Sequence, residues 1–139
     1  MYNVLISSES LDGYHLQTFE CGNGDILFLV KVTDSIGRKK REILYSRILK
    51  INQSNRIFCI LDNSDEFENT LTLDDISYFD NLMMRSGITE FYGATITNDP
   101  AYGSVVNLAN ASANLTQLKV ELISTATLEE AEAFIKSKL

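Results

Sequence analysis

Apolar and polar positions along this chain fall into three patterns: continuous, alternating and helical. Two stretches are continuously apolar. One is Ile26-Leu-Phe-Leu-Val30, and the other is Ile57 to Leu61 within Arg56-Ile-Phe-Cys-Ile-Leu-Asp62. A strand with one wet face alternates apolar and polar, whereas a strand covered on both faces does not. Both runs are short, and the second ends at the turn-forming Asp62-Asn63-Ser64. They predict interior strands, with Arg56–Asp62 at the middle of a sheet and helices packed over it.

The first 33 residues read as a β-meander. Val4-Leu-Ile6 predicts a short strand, Asp12-Gly13 a turn, and Tyr14 to Glu20 a second strand. Asn23-Gly24 is a hairpin signal, because both residues tolerate positive φ, and it leads into a strand from Asp25 to Thr33. Helical spacing follows. Ile43, Leu44, Ile48 and Ile51 predict a helix capped at Asp34 or Ser35 and running to about Asn52. Its outer face is expected to carry Arg38, Lys39, Arg41 and Lys50.

Thr72-Leu-Asp-Asp75 has capping-box spacing. It opens a helix to Arg85, with Leu73, Ile76, Phe79 and Met83 inward, Asp74, Asp75 and Asp80 outward, and Gly87 as the left-handed stop. Thr89 to Thr97 predicts the next strand, in which Gly93 leaves room for a close approach by backbone or ligand. Asn98-Asp99-Pro100 reads as strand end, cap and first helical position. The helix from Ala101 to Asn114 is expected to turn Val105, Leu108 and Ala109 inward. Gln117 to Ile123 alternates cleanly, as a strand near a sheet edge does. Thr127-Leu-Glu-Glu130 caps a last helix burying Leu128, Ala131, Ile135 and Leu139.

Strand and helix alternate from residue 25 onward. The expected fold class is therefore α/β: a mixed, largely parallel sheet with an N-terminal β-meander and about four helices. One domain is expected over residues 1–139, with 1–24 as a hairpin extension of a 25–139 core.

Composition narrows the function classes. The net charge is −7, yet Lys31 to Arg56 holds eight Lys/Arg and two acids, a local +6, so the other residues carry −13. Overall acidity argues against nucleic-acid binding, which draws its affinity from neutralising phosphates. Cys21 and Cys59 form no disulfide framework, and Cys59 sits inside an apolar strand as a small hydrophobe. The first residues show no basic region followed by a long apolar run, and no apolar run approaches the ~18 residues of a membrane span. A cytoplasmic protein without a signal peptide or transmembrane segment is the expectation.

Candidate chemistry is sparse. Parallel α/β sheets bind ligands beyond the carboxyl ends of their strands. Here those ends bring Asp62, Asn63, Ser64, Thr97, Asn98 and Asp99, which read either as a ligand crevice or as turn and cap residues. A phospho-acceptor Asp site of the receiver kind lacks its acidic pair after Val30 and its late Lys. His15 has no Cys or His at metal-ligand spacing, no Gly-x-Ser-x-Gly elbow occurs, and Cys21-Gly-Asn-Gly24 precedes a strand rather than a helix. No metal and no cofactor are expected. The basic run Arg38-Lys-Lys-Arg41 is the one conspicuous charge feature. Cations there oppose the helix dipole by about 0.3–1 kcal/mol each, a cost that the acidic Asp62 to Asp80 surface of the same or a second molecule, an acidic protein partner or an anionic headgroup would offset; the other reading is a solvated face kept soluble by its charge.

The order of elements from Asp25 onward resembles the STAS superfamily, the anti-sigma-factor-antagonist fold, and within it the SpoIIAA-like branch related to CRAL-TRIO lipid-binding domains. The text that carries the resemblance is Asp25-Ile-Leu-Phe-Leu-Val-Lys-Val32, then a helix, then Arg56–Asp62, and the closing Thr127-Leu-Glu-Glu-Ala-Glu-Ala-Phe-Ile135. The resemblance implies non-enzymatic work, either docking to a partner or binding a small or lipidic ligand. STAS switch proteins carry an Asp-Ser-Ser-Gly-like phosphorylation turn after the central strand. That region reads Asn69-Thr-Leu-Thr-Leu-Asp-Asp75 here, so the motif is absent, and Thr72 is taken up as a cap. The leading expectation is a regulatory module that binds a protein partner, or itself as a homodimer, through Arg38, Lys39 and Arg41. The alternative is a small-molecule or lipid-binding domain, or an enzyme, using the crevice at the strand ends.

Overall fold

A computed structural model describes residues 4–113 and 116–139. Strands β1 (Val4–Leu11) and β2 (Tyr14–Glu20) meet across Asp12-Gly13, and β2 returns to β3 (Ile26–Val32). Both pairings are antiparallel, so the meander is present. β1 runs longer than Val4–Ile6, because the polar Ser7–Ser10 stretch continues the ladder to β2 after a bulge between Leu5 and Ser7. Three parallel strands follow: β4 (Arg56–Asp62), β5 (Glu90–Ile96) and β6 (Lys119–Thr125). The sheet order is β1-β2-β3-β4-β5-β6, which makes β4 interior and β6 an edge, and residues Ile57 to Leu61 are all buried.

The helices are α1 (Arg38–Ile51), α2 (Leu73–Arg85), α3 (Tyr102–Ala113) and α4 (Leu128–Lys138). The strands from β3 step in one direction, so right-handed crossovers put α1, α2 and α3 on one face. There Leu44, Ile48 and Met83 pack on Phe28, Val30, Ile57, Cys59 and Phe91. No strand follows α4 among the described residues, and it folds over the other face. Its Ala131 and Ile135 cover Leu27, Phe58, Ile60, Tyr92, Ala94 and Ile96. Double coverage is why β3 and β4 read as continuous apolar runs. Fully burying each of these side chains contributes roughly 1.5–3 kcal/mol.

Several local expectations shift. α1 starts at Arg38 after Gly37, with no side-chain cap, rather than at Asp34 or Ser35. The preceding residues are held otherwise: Ile36 makes a parallel bridge to Asn69, its N–H donating to Glu68 O and its carbonyl accepting from Thr70 N–H. Within α1 Ile43 is exposed, and Arg41 takes its place inward with Leu44 and Ile48. The Thr72–Asp75 capping box forms as its spacing predicts, which buries Asp75; Asp80 is buried as well, and of the three aspartates only Asp74 faces outward. Leu73 and Leu128, each at the first helical position, stay exposed.

α3 begins at Tyr102, because Asp99 first closes a turn on Ala101 and Tyr102. Its buried stripe runs through Val106 and Ala109, and Leu108 is exposed. Asn114, its expected end, lies outside the described residues. Gly87 takes φ +86° after α2, the left-handed conformation that ends a helix. At Gly93 a Cβ would stand 2.7 Å from Leu122 Cδ2, so the close approach comes from a neighbouring side chain.

Candidate functional site

The carboxyl ends of β4 and β5 bring the six expected turn residues together. Asp62 Oδ1 accepts from Ser64 N–H (3.0 Å), and Lys31 Nζ bonds Ser64 Oγ (3.0 Å) and pairs with Asp65 (3.2 Å). Asn63 is buried, with its side chain bonded both ways to the Phe67 backbone. Glu66, at φ +57°, accepts from Thr97 Oγ1 (2.8 Å) and Asn98 N–H (2.6 Å). Thr97 Oγ1 also accepts from Asp99 N–H (3.1 Å). These residues chiefly hold one another, as turn and cap residues do.

The basic run is dispersed. Arg38 reaches Glu42 (3.3 Å) and Asp75 (3.8 Å) and lies 4.3 Å over the Tyr78 ring. Lys40 bonds the Ser35 carbonyl (2.9 Å) and Asp34 (3.3 Å). Lys39 is exposed. Arg41 corrects the expectation of an outer face: it is 4% exposed. It follows from the helical phase, since Arg41, Leu44 and Ile48 recur at the spacing of one buried stripe.

Beneath α1 and α3, at the carboxyl end of β4 and β5, lies a cavity of about 60 Å³. Arg41, Tyr45, Cys59, Thr95 and Tyr102 supply its polar atoms, and Leu71, Phe91, Gly93 and Leu122 are among its apolar walls. Leu71, Tyr102 and Leu122 are half-buried, which marks the accessible side. A guanidinium carries five N–H donors. One terminal nitrogen of Arg41 donates to Asn69 Oδ1, while Nε has no acceptor and no carboxylate pairs with the group among the described residues. Burying an unpaired charge costs several kcal/mol.

Neighbouring groups offer no compensating anion. Burial pushes the Cys59 thiol and the Tyr14 phenol up to about 12, against the opposing Arg41 charge, and raises Tyr45 further. All three stay protonated near neutrality. Thr95 Oγ1 donates to Tyr102 Oη (3.3 Å).

A second cavity of about 30 Å³ shares Tyr45, Leu71, Phe91 and Leu122 with the first and is also lined by Asp80. Asp80 is 6% exposed, its Oδ2 has no hydrogen-bond partner, and burial raises its carboxyl to about 6. Sequence reasoning missed Arg41 and Asp80 as inward groups. The signal was available, since Asp80 follows Ile76 and Phe79 and precedes Met83 on one stripe. Among the described residues no cluster of three His, Cys, Asp or Glu could hold a metal ion, and no helix is long and apolar enough to cross a membrane.

No family model matches the chain, and no curated protein matches it. A solved structure does: an uncharacterised protein of the DUF3478 family from Shewanella loihica PV-4, described as SpoIIAA-like. The likeness covers 93% of this chain and 98% of that one, with a TM-score of 0.53 and 15% identity. Such a likeness speaks for architecture, and it agrees with the strand and helix order above: the chain has an α/β, SpoIIAA-like fold.

Proposed function

We propose that this protein is a non-catalytic binding module that takes a small anionic ligand, with a carboxylate as the fitting group, into the cavity beneath α1 and α3. One observation carries the reading: Arg41 lines that cavity, almost fully buried, with Nε unsatisfied and no carboxylate partner. A bidentate carboxylate would satisfy the guanidinium and offset its burial. The volume bounds the ligand. One water needs roughly 10–15 Å³ on this measure, so about 60 Å³ suits a few heavy atoms rather than an acyl chain. What supports a binding rather than a catalytic reading is that burial keeps Cys59 and Tyr45 protonated, so neither is an activated nucleophile on the cavity wall. Calorimetric titration with butyrate tests this. Binding to the native protein that is lost in Arg41→Met supports it, and equal binding by both overturns it.

A second reading keeps the partner expectation and commits to a second copy of this chain. It rests on β1, an edge strand whose Val4, Leu5 and Ile6 are 56%, 50% and 50% exposed. Such an edge can pair with its own copy about a two-fold axis. That pairing does not require Arg38, which is already paired within the chain. Light scattering of Leu5→Lys against the native protein tests this, with a dimer turning monomeric as the expected result.

A further inference from the structure

Two adjoining cavities are each lined by one unpaired charge. The Arg41 guanidinium, 4% exposed, lines the first, and the Asp80 carboxyl, 6% exposed, lines the second. Neither makes an ion pair with any described residue, although each lines a cavity whose walls the other cavity shares. Opposite charges buried on neighbouring helices would ordinarily be expected to neutralise each other directly. Here Tyr45, Leu71, Phe91 and Leu122 line both cavities. That is the wall chemistry of a short methylene chain carrying a charged group at each end.

We propose that the ligand is a short zwitterion, an ω-amino carboxylate, with its carboxylate on Arg41 and its ammonium group on Asp80. This rests on the reading of Arg41 as an anion receptor and adds a second pole to it. The ammonium group would donate to Asp80 Oδ2, which now has no donor. The apolar stretch between would pack against Phe91 and Leu122, which line both cavities. Ligands with a single charged end would leave one buried group unsatisfied, and a site built to pair a buried group rejects an analogue that lacks the partner. A ligand of the wrong length would meet the same penalty, so the site also measures length.

The test compares two probe series by calorimetric titration of the native protein at slightly alkaline pH. One is β-alanine, γ-aminobutyrate, δ-aminovalerate and ε-aminocaproate. The other is propionate, butyrate, valerate and caproate. At one length the amino acid is expected to bind about 10- to 100-fold tighter than its monocarboxylate, the effect of one charge-assisted hydrogen bond. In Asp80→Asn that gap should close while the monocarboxylate binds as before. A monocarboxylate that equals or exceeds the amino acid at every length overturns the zwitterion and leaves Arg41 as an anion receptor. Binding of neither series overturns the receptor reading as well. The native protein alone decides between these outcomes, whatever the folding of the variant.

Discussion

Arg41 donates to Asn69 Oδ1 across 28 positions of sequence, and that amide is the only hydrogen-bond acceptor its side chain finds among the described residues. A neutral amide stands where a structural ion pair would place a carboxylate. The site is therefore electrostatically incomplete, and stability and binding should trade against each other there.

Arg41→Met removes a buried charge and keeps most of the volume. Stability is expected to stay level or rise by up to about 3 kcal/mol, as when buried ionic groups are replaced by apolar ones. Urea denaturation measures it. A loss beyond about 2 kcal/mol would assign Arg41 a structural role instead.

Asp80 gives a pH signature. Its carboxyl titrates at about 6 in the folded state against 3.8 ordinarily, because burial disfavours the charged form. The folded state therefore holds this proton more tightly than the unfolded chain. The burial penalty is absent at low pH, grows as pH rises from about 4 to about 6, and is constant above that. Asp80→Asn should accordingly be more stable than the native protein at neutral pH by roughly 1–3 kcal/mol, with the advantage vanishing towards pH about 4. Denaturation midpoints across that range check the sign; an advantage independent of pH would contradict it.

Arg56 closes the other end of the same sheet. It pairs with Asp25, which is 6% exposed, and donates to the Lys138 carbonyl (3.1 Å). Arg56→Met leaves the Asp25 carboxylate with Ser54 Oγ (3.0 Å) as its hydrogen-bond donor among the described residues. A loss of about 2–4 kcal/mol is expected. Chemical denaturation reads it, and a change below about 1 kcal/mol would show that water compensates freely.

Gly93→Ala places a methyl 2.7 Å from Leu122 Cδ2 and 3.1 Å from the Phe91 ring. Leu122 is half-buried and can yield, so the cost should sit near the low end of the overpacking range, about 1 kcal/mol. The same methyl enters the cavity, and butyrate binding should weaken well beyond what the stability change explains. Titration beside thermal unfolding separates the two effects.

The architecture was legible because burial on both faces leaves a continuous apolar record, as in Ile57 to Leu61, and because capping residues such as Thr72 and Thr127 announce helix starts directly. The site was not, for a specific reason. Arg41 and Asp80 occupy inward positions of α1 and α2, but their charge argues for solvent, and residue type outweighed phase in reading them. The start of α1 was hidden too, because the Ile36 bridge is a contact with residues far along the chain that no local cap signals. α3 carries a short stripe of small residues, so its apolar positions do not by themselves fix which of them face the sheet.

The Ile36 bridge also fixes how the pocket can move. Its two backbone bonds, 2.8 Å from Ile36 N to Glu68 O and 3.0 Å from Thr70 N to Ile36 O, clasp the chain on either side of Asn69. The amide that receives Arg41 is thereby strapped to the root of the helix that bears Arg41. Donor and acceptor must travel as one rigid jaw, leaving α3 as the yielding lip. A guest entering the chamber should therefore slow deuterium uptake along α3 first, while the Ile36 and Thr70 amides stay guarded whether it is empty or filled.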